Sequence, residues 1–185
     1  QGPKFFEKIC RQRWRHFFAK KMGPGGQGAS FACMRYPVSR LGPELRGRFA
    51  DRDIIVFDGE CVLCSGFFRF MLRHDREAQF SFAMAQAEVG QACYAALGMP
   101  LDDFQTNLVI KDGWIYTDLD AFAAAMSALG WPWKGLAVVR YLPGVVKRPI
   151  YRAVAANRYR LFGRYDQCIR PGPEVRARFV EEGLV

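Results

Sequence analysis

Two cysteines separated by two residues are the part of this sequence best suited to chemistry. Cys61 and Cys64 lie in the run F-D-G-E-C-V-L-C, residues 57–64. A thiol attacks a disulfide only as thiolate, and the start of a helix favours negative charge because its first backbone N–H groups are unpaired. One helical turn also brings the second sulfur within reach of the first. We therefore expect Cys61 to attack a disulfide and Cys64 to resolve the mixed disulfide.

Asp58 stands three residues before Cys61 and is the third candidate catalytic residue. Its carboxylate is a candidate proton acceptor for Cys64. Alternatively, Asp58 turns the chain together with Gly59 and caps the following helix.

Two other interpretations of the C-x-x-C motif remain open. It is half of a zinc site if further ligands come from Cys168, His74 or Cys93. It is inert if the two cysteines are buried in a fold that has lost its activity. No second pair of ligands accompanies the motif, and the chain has two histidines. We therefore predict neither a metal nor another cofactor.

The residues around the motif predict alternating strands and helices. Asp58-Gly59 ends a short apolar strand at 54–57, and the segment after the motif is a mostly apolar helix. Further strands are predicted at 80–84, 108–110 and 114–116, and an Asp-Gly turn joins the last two. Helices are predicted at 65–74, 88–97 and 121–129, and Asp118 or Asp120 is expected to cap the last of them. The order β-α-β-α-β-β-α is that of a thioredoxin-like α/β fold, in which the C-x-x-C follows the first strand.

Further helices are predicted after this core, which spans residues 51–133. Two helices are predicted, at 131–142 and 150–162, and the second ends at Gly163. Residues 134–185 are predicted to form a helical extension of the same domain. Cys168, in the tail, is either a third redox partner or a buried structural cysteine. Cys93 lies on an Ala-rich helix and is predicted to belong to the core.

The ends of the chain are basic and its middle is acidic. The net charge is +9 over residues 1–50, −7 over 51–133 and +7 over 134–185. The first segment combines a basic amphipathic helix at 4–22, a Gly-rich linker at 23–28 and an irregular remainder. We expect this segment to bind an anionic surface or the subunits of a larger complex. Its acid-poor composition favours import into a mitochondrial or other organelle matrix, and the cytoplasm is the alternative compartment. No stretch is apolar enough to span a bilayer.

The chain resembles the DCC family of thiol-disulfide oxidoreductase-like proteins. The resemblance rests on the D-G-x-C-x-x-C signature at 58–64 and extends from about Asp53 to Phe179. It includes F-S-F at 80–82, Leu142-Pro143, Tyr151, the run A-N-R-Y-R-L-F-G at 156–163, Cys168 and Arg178-Phe179. It implies a thioredoxin-like fold, a protein or small-molecule disulfide as substrate, and Asp58, Cys61 and Cys64 as the site.

Two features depart from this pattern. Thioredoxins place a cis-proline before the third strand, where this chain has F-Q-T-N at 104–107. Residues 1–50 also lie outside the usual domain of the family. They leave a second hypothesis open, in which the protein is an accessory subunit of a larger, organellar assembly, docked through its basic arm and with little redox turnover.

Overall fold

A computed structural model describes residues 35–49, 52–166 and 171–185. Residues from Met34 to Val185 form one compact unit. The amphipathic helix and the Gly-rich linker predicted for the N-terminal segment lie outside the described residues. So do Cys10, Cys33 and Cys168.

A five-stranded mixed sheet forms the centre of this unit. Its strands are β1 (Arg35–Pro37), β2 (Asp53–Phe57), β3 (Phe80–Met84), β4 (Leu108–Lys111) and β5 (Trp114–Tyr116), in the spatial order β1-β5-β4-β2-β3. The β2 and β3 strands are parallel, and the other pairs are antiparallel. The β4 and β5 strands form the predicted hairpin, in which Asp112 and Gly113 both have positive φ angles (50° and 76°).

Helices cover both faces of the sheet because the central strands are apolar on both sides. On one face, Ile55 and Phe57 pack with α2 (Val62–His74) and α4 (Asp118–Ala128). On the other face, Ile54 and Val56 pack with α3 (Glu88–Ala96), whose Cys93 is buried in the core as predicted. The thioredoxin-like α/β fold is confirmed.

One predicted detail of the helices is wrong. Thr117 occupies the N-cap position of α4, and Asp118 and Asp120 lie in the first turn of the helix. The backbone N–H of Asp118 donates instead to the Thr106 hydroxyl at 2.7 Å. This contact ties the start of α4 to the segment that precedes β4.

The irregular structure predicted for residues 29–50 is also wrong over the described part of that segment. Residues 35–37 form β1 on the outer edge of β5, and a short helix, α1, spans Pro43–Gly47. Leu41 and Phe49 are buried in the core beside α3. The sequence signal was weak because β1 is a three-residue edge strand that ends in proline.

The C-terminal part adds a 3-10 segment, Trp133–Tyr141, and the long helix α5, Gly144–Phe162, which is followed by the short helix α6, Pro173–Arg176. The first predicted helix of this part is therefore a 3-10 segment. The α5 helix ends at Gly163 as expected, and it starts six residues earlier than predicted because Pro149 is accommodated inside it. Among the described residues, no helix is long and apolar enough to cross a membrane.

The final residues cover the outer edge of the sheet. Backbone N–H groups of Phe82 and Met84 donate to the carbonyls of Arg178 and Gly183, each at 2.8 Å. The Arg178 guanidinium also donates to the buried Asp75 carboxylate at 2.6 Å. The tail therefore satisfies the edge of β3, which would otherwise be open to pairing.

Two helical glycines provide a matched test of this packing. A Cβ at Gly90 in α3 would lie 2.0 Å from the Met84 carbonyl oxygen, whereas a Cβ at Gly66 in α2 would meet nothing within 4 Å. We expect Gly90→Ala to lower the free energy of unfolding by about 2–3 kcal/mol. Gly66→Ala should raise it by about 0.5–1 kcal/mol. Urea denaturation followed by circular dichroism measures both, and equal effects would contradict the close approach of α3 to β3.

Candidate active site

The C-x-x-C lies where β2 meets α2. Cys61 is the N-cap residue of α2, and its Sγ accepts a hydrogen bond from the backbone N–H of Cys64 at 3.3 Å. A cap position normally holds an oxygen acceptor, and here a sulfur satisfies one of the unpaired donors of the first turn. The helix start therefore stabilises negative charge on Cys61. In this structure Cys61 and Cys64 are free thiols.

The two sulfurs differ sharply in acidity. The pKa of Cys61 is lowered to about 7, chiefly by a hydrogen bond from the Cys64 thiol. The Cys64 backbone N–H and the charge of Arg158 lower it further, whereas burial and the charge of Asp58 act in the opposite direction. The same hydrogen bond, with burial and the charges of Cys61 and Asp58, raises the pKa of Cys64 well above its ordinary value. At neutral pH, Cys61 is thus the sulfur available as thiolate.

Asp58 lies beneath the motif with its carboxylate completely buried. Oδ1 accepts hydrogen bonds from the Glu60 backbone N–H (3.0 Å) and from Gln86 Nε2 (2.7 Å). Oδ2 accepts one from the Tyr159 hydroxyl (2.7 Å) and lies 3.6 Å from Arg158 Nη2. Asp58 is therefore not the cap of α2. It is a buried anion with four donor groups around it.

Arg158 and Tyr159 belong to α5 and reach Asp58 from the far end of the chain. Arg158 is buried, donates to Asp103 at 2.7 Å and to the Tyr159 hydroxyl at 2.9 Å, and stacks over the Tyr159 ring. Burial and the hydrogen bond to Asp58 raise the pKa of Tyr159, so its hydroxyl stays protonated as a donor. The sequence includes these two residues in the run that carries the family resemblance and predicts no role for them.

A short backbone strap, residues 163–165, covers Cys61. It begins at Gly163, whose φ of 90° allows α5 to end in a sharp turn. Arg164 forms an antiparallel bridge with Cys61 and an ion pair with Glu60, whose carbonyl accepts from the Tyr165 N–H at 2.8 Å. With the strap paired to its backbone, Cys61 is 0% exposed, and Cys64 is 8% exposed.

The segment that occupies the place of the thioredoxin cis-proline is held by hydrogen bonds from tyrosines. The Tyr94 hydroxyl donates to the Thr106 carbonyl, and the Tyr151 hydroxyl donates to the Gln105 carbonyl at 3.2 Å. These two tyrosines line a cleft of about 280 Å³ together with Gln105, Thr106 and residues of α5. The cleft therefore lies between α5 and the segment that precedes β4.

The residues considered as further metal ligands are dispersed. His74 lies at the end of α2, where its ring packs against Phe70 and Trp133. Cys93 lies on the other face of the sheet, where burial raises the pKa of its thiol to about 12. Within residues 35–49, 52–166 and 171–185, no three His, Cys, Asp or Glu side chains form a group that could hold a metal ion.

Comparison with known proteins identifies the family. The model of the DCC1-like thiol-disulfide oxidoreductase family matches residues 55–164, which include the motif, the Asp58 network and α5. The chain belongs to this family. It is 33% identical over 127 residues to the uncharacterized protein YuxK of Bacillus subtilis (strain 168), covering 69% of this chain and 93% of that protein.

A second relative comes from a plant. The chain is 33% identical over 118 residues to a DCC family protein of Arabidopsis thaliana described as chloroplastic, covering 63% of this chain and 69% of that protein. No solved structure matches significantly. The family assignment supports a redox role at the level of the family.

Titration of the thiolate absorbance tests the source of the Cys61 acidity. We expect the difference between wild type and Cys61→Ser to titrate with a pKa of about 7. Cys64→Ala should move this midpoint upward because it removes the side-chain donor, whereas Cys64→Ser retains a donor and should move it less. Equal midpoints in the two Cys64 variants would contradict the role of the thiol–thiolate hydrogen bond.

The Asp58 network is tested by removing one hydroxyl. Tyr159→Phe leaves a buried carboxylate oxygen with one donor fewer, and we expect it to lower the free energy of unfolding by about 1–2 kcal/mol. Tyr165→Phe is the control, because Tyr165 bonds Glu60 through its backbone. Chemical denaturation measures both variants, and a Tyr159→Phe protein as stable as the control would show that the hydroxyl contributes little.

Proposed function

We propose that the protein is a dithiol-disulfide oxidoreductase in which Cys61 attacks and Cys64 resolves. The observation that carries this proposal is the unequal acidity of the pair, with the Cys61 sulfur at the cap of α2 and its pKa lowered to about 7. A nucleophile with a pKa near the ambient pH combines a large thiolate fraction with high intrinsic reactivity.

The reaction balances over two exchange steps. The Cys61 thiolate attacks one sulfur of a substrate disulfide, forms a mixed disulfide and releases the other sulfur as a thiolate that takes up a proton. Cys64 then loses its proton and attacks the Cys61 sulfur, which releases the second substrate thiolate and leaves a Cys61–Cys64 disulfide. The substrate gains two electrons and the protein loses them.

Asp58 acts in this scheme as a positioning residue. Its carboxylate raises the pKa of both thiols, and Arg158 offsets this effect in both. Oδ1 accepts two hydrogen bonds, and Oδ2 accepts one and lies 3.6 Å from Arg158, so we assign Asp58 the role of holding Tyr159 and Arg158 beneath the motif. The proton acceptor role suggested by the sequence stays a prediction.

Substrate access requires a change at the strap. Cys61 is fully buried and its backbone pairs with Arg164, so we propose that a disulfide reaches it when residues 163–165 move aside. The carbonyls of Gln105 and Thr106 accept hydrogen bonds from tyrosine hydroxyls. They are therefore less available to a substrate chain than the backbone beside the cis-proline of a thioredoxin. We therefore propose that substrate handling differs from that of thioredoxins, for protein and small-molecule disulfides alike.

The accessory-subunit role left open by the sequence is not favoured, because the family assignment supports redox chemistry. An organelle is the compartment we propose, given the basic N-terminal segment and the chloroplastic relative. The mitochondrial matrix remains a prediction.

Trapping of the mixed disulfide tests the two assigned roles. Cys64→Ser, treated with a small aromatic disulfide, should retain one aromatic thiol at Cys61, whereas wild type should release two equivalents and form the Cys61–Cys64 bond. Cys61→Ser should retain none at Cys64, since the pKa of that thiol is strongly raised. Peptide mass spectrometry locates the adduct, and Cys93→Ala serves as the control. An adduct at Cys64, or none at Cys61, would overturn the proposal.

A further inference from the structure

Exposed apolar side chains are concentrated in one stretch of the described chain. Within the part of the chain that the structure describes, fourteen large hydrophobic residues are exposed, and eleven of them lie from Trp131 to Phe162. We call the exposed side chains of residues 131–162 the C-terminal surface. Its apolar members are Trp131, Leu136, Val138, Tyr141, Leu142, Val145, Val146, Ile150, Val154, Leu161 and Phe162.

The α5 helix is inverted relative to an ordinary surface helix. It buries Lys147, which bonds Asp120 at 2.5 Å, and Arg158, which bonds Asp103. It exposes Val146, Ile150 and Val154, which recur every four residues and so lie along one flank of the helix. A helix that faces only water places its charges outside and its aliphatic residues inside. The inversion points to an apolar partner on the outer side.

The charge of the C-terminal surface narrows the choice of partner. Residues 131–162 contain seven Lys or Arg and no Asp or Glu. Two of the seven, Lys147 and Arg158, are buried in ion pairs. Four of the others are exposed, namely Lys134, Arg140, Arg152 and Arg160. A matching partner is therefore both apolar and anionic.

An acidic phospholipid bilayer meets both requirements. Aliphatic and aromatic side chains enter the acyl boundary, with Trp at the headgroup level, and neighbouring Lys and Arg side chains contact anionic headgroups. Nucleic acid fits less well, since exposed Val, Leu and Ile neither stack on bases nor bind phosphate. Symmetric pairing with a second copy would bring two basic surfaces together.

We propose that the C-terminal surface docks the protein on a bilayer that contains acidic phospholipids. The mode is peripheral, since none of the described helices is able to span a membrane. This proposal goes beyond the redox function and does not depend on it. The surface ends at Phe162, and the residues that follow it pair with the motif through the bridge between Arg164 and Cys61, so docking places the C-x-x-C close to the bilayer.

Vesicle sedimentation of the full chain tests the proposal. Vesicles of phosphatidylcholine with phosphatidylserine should bind the protein, and vesicles of phosphatidylcholine alone should bind it much less. Val146→Ser/Ile150→Ser should weaken binding by roughly tenfold or more. Arg140→Gln/Arg160→Gln should weaken it by about 25-fold at low salt, or about fivefold per arginine.

Matched controls separate this surface from general hydrophobicity and charge. Leu101→Ser/Val185→Ser removes exposed apolar residues elsewhere, and Arg69→Gln/Arg73→Gln removes exposed basic residues of α2. Both should bind as wild type does, and all variants should keep the wild-type circular dichroism spectrum and thiolate titration.

Four results would overturn the proposal. The wild type fails to sediment with acidic vesicles, or it binds both kinds of vesicle equally. The C-terminal surface variants bind acidic vesicles as wild type does, which would assign binding to the basic N-terminal segment. Finally, sedimentation velocity shows a dimer that the apolar double variant abolishes, without vesicle binding, which would make a second copy the occupant.

Discussion

The buried carboxylate of Asp58 connects the segments that build the candidate site. Its donors come from the turn after β2, from the residue that follows β3 by two positions, and from α5. A carboxylate without these donors would be too costly to bury, so its burial requires α5 to lie against the motif. The position of α5 in turn sets the position of the strap over Cys61. The network around Asp58 thus positions both the residues that lie beneath the C-x-x-C and the strap beside Cys61.

The electrostatics of the thiol pair follow from the same arrangement. The helix start and the Cys64 donors lower the pKa of Cys61, whereas Asp58 opposes ionisation of both sulfurs. Arg158 acts against Asp58 in each case. Because Arg158 is buried and also bonds Asp103, its charge is held in place and little screened by solvent. The site therefore allows one thiolate at neutral pH and suppresses a second.

Local patterns predicted the core well because its elements are defined by short-range signals. The apolar run of β2, the alternation in β3, the Asp112-Gly113 turn and the glycine end of α5 all correspond to observed features. The C-x-x-C at the start of α2 was found for the same reason. These features depend on residues close together in the sequence.

The missed features depend on distant residues. Gln86 and Tyr159 contact Asp58 across 28 and 101 positions, and no periodicity or spacing marks such a pair. The β1 strand was missed because it exists only through pairing with β5. The buried charges of α5 were hidden because Lys147 and Arg158 look like solvated residues until their acidic partners are placed beside them.

The distance in sequence between the motif and its cover has a consequence for synthesis of the protein. Tyr159 is translated 101 residues after Asp58, at typical elongation rates an interval on the order of ten seconds. During this interval the nascent chain contains both thiols but neither the strap nor α5 that later encloses them. The reducing or oxidising conditions around the nascent chain therefore determine the oxidation state in which the pair is first enclosed.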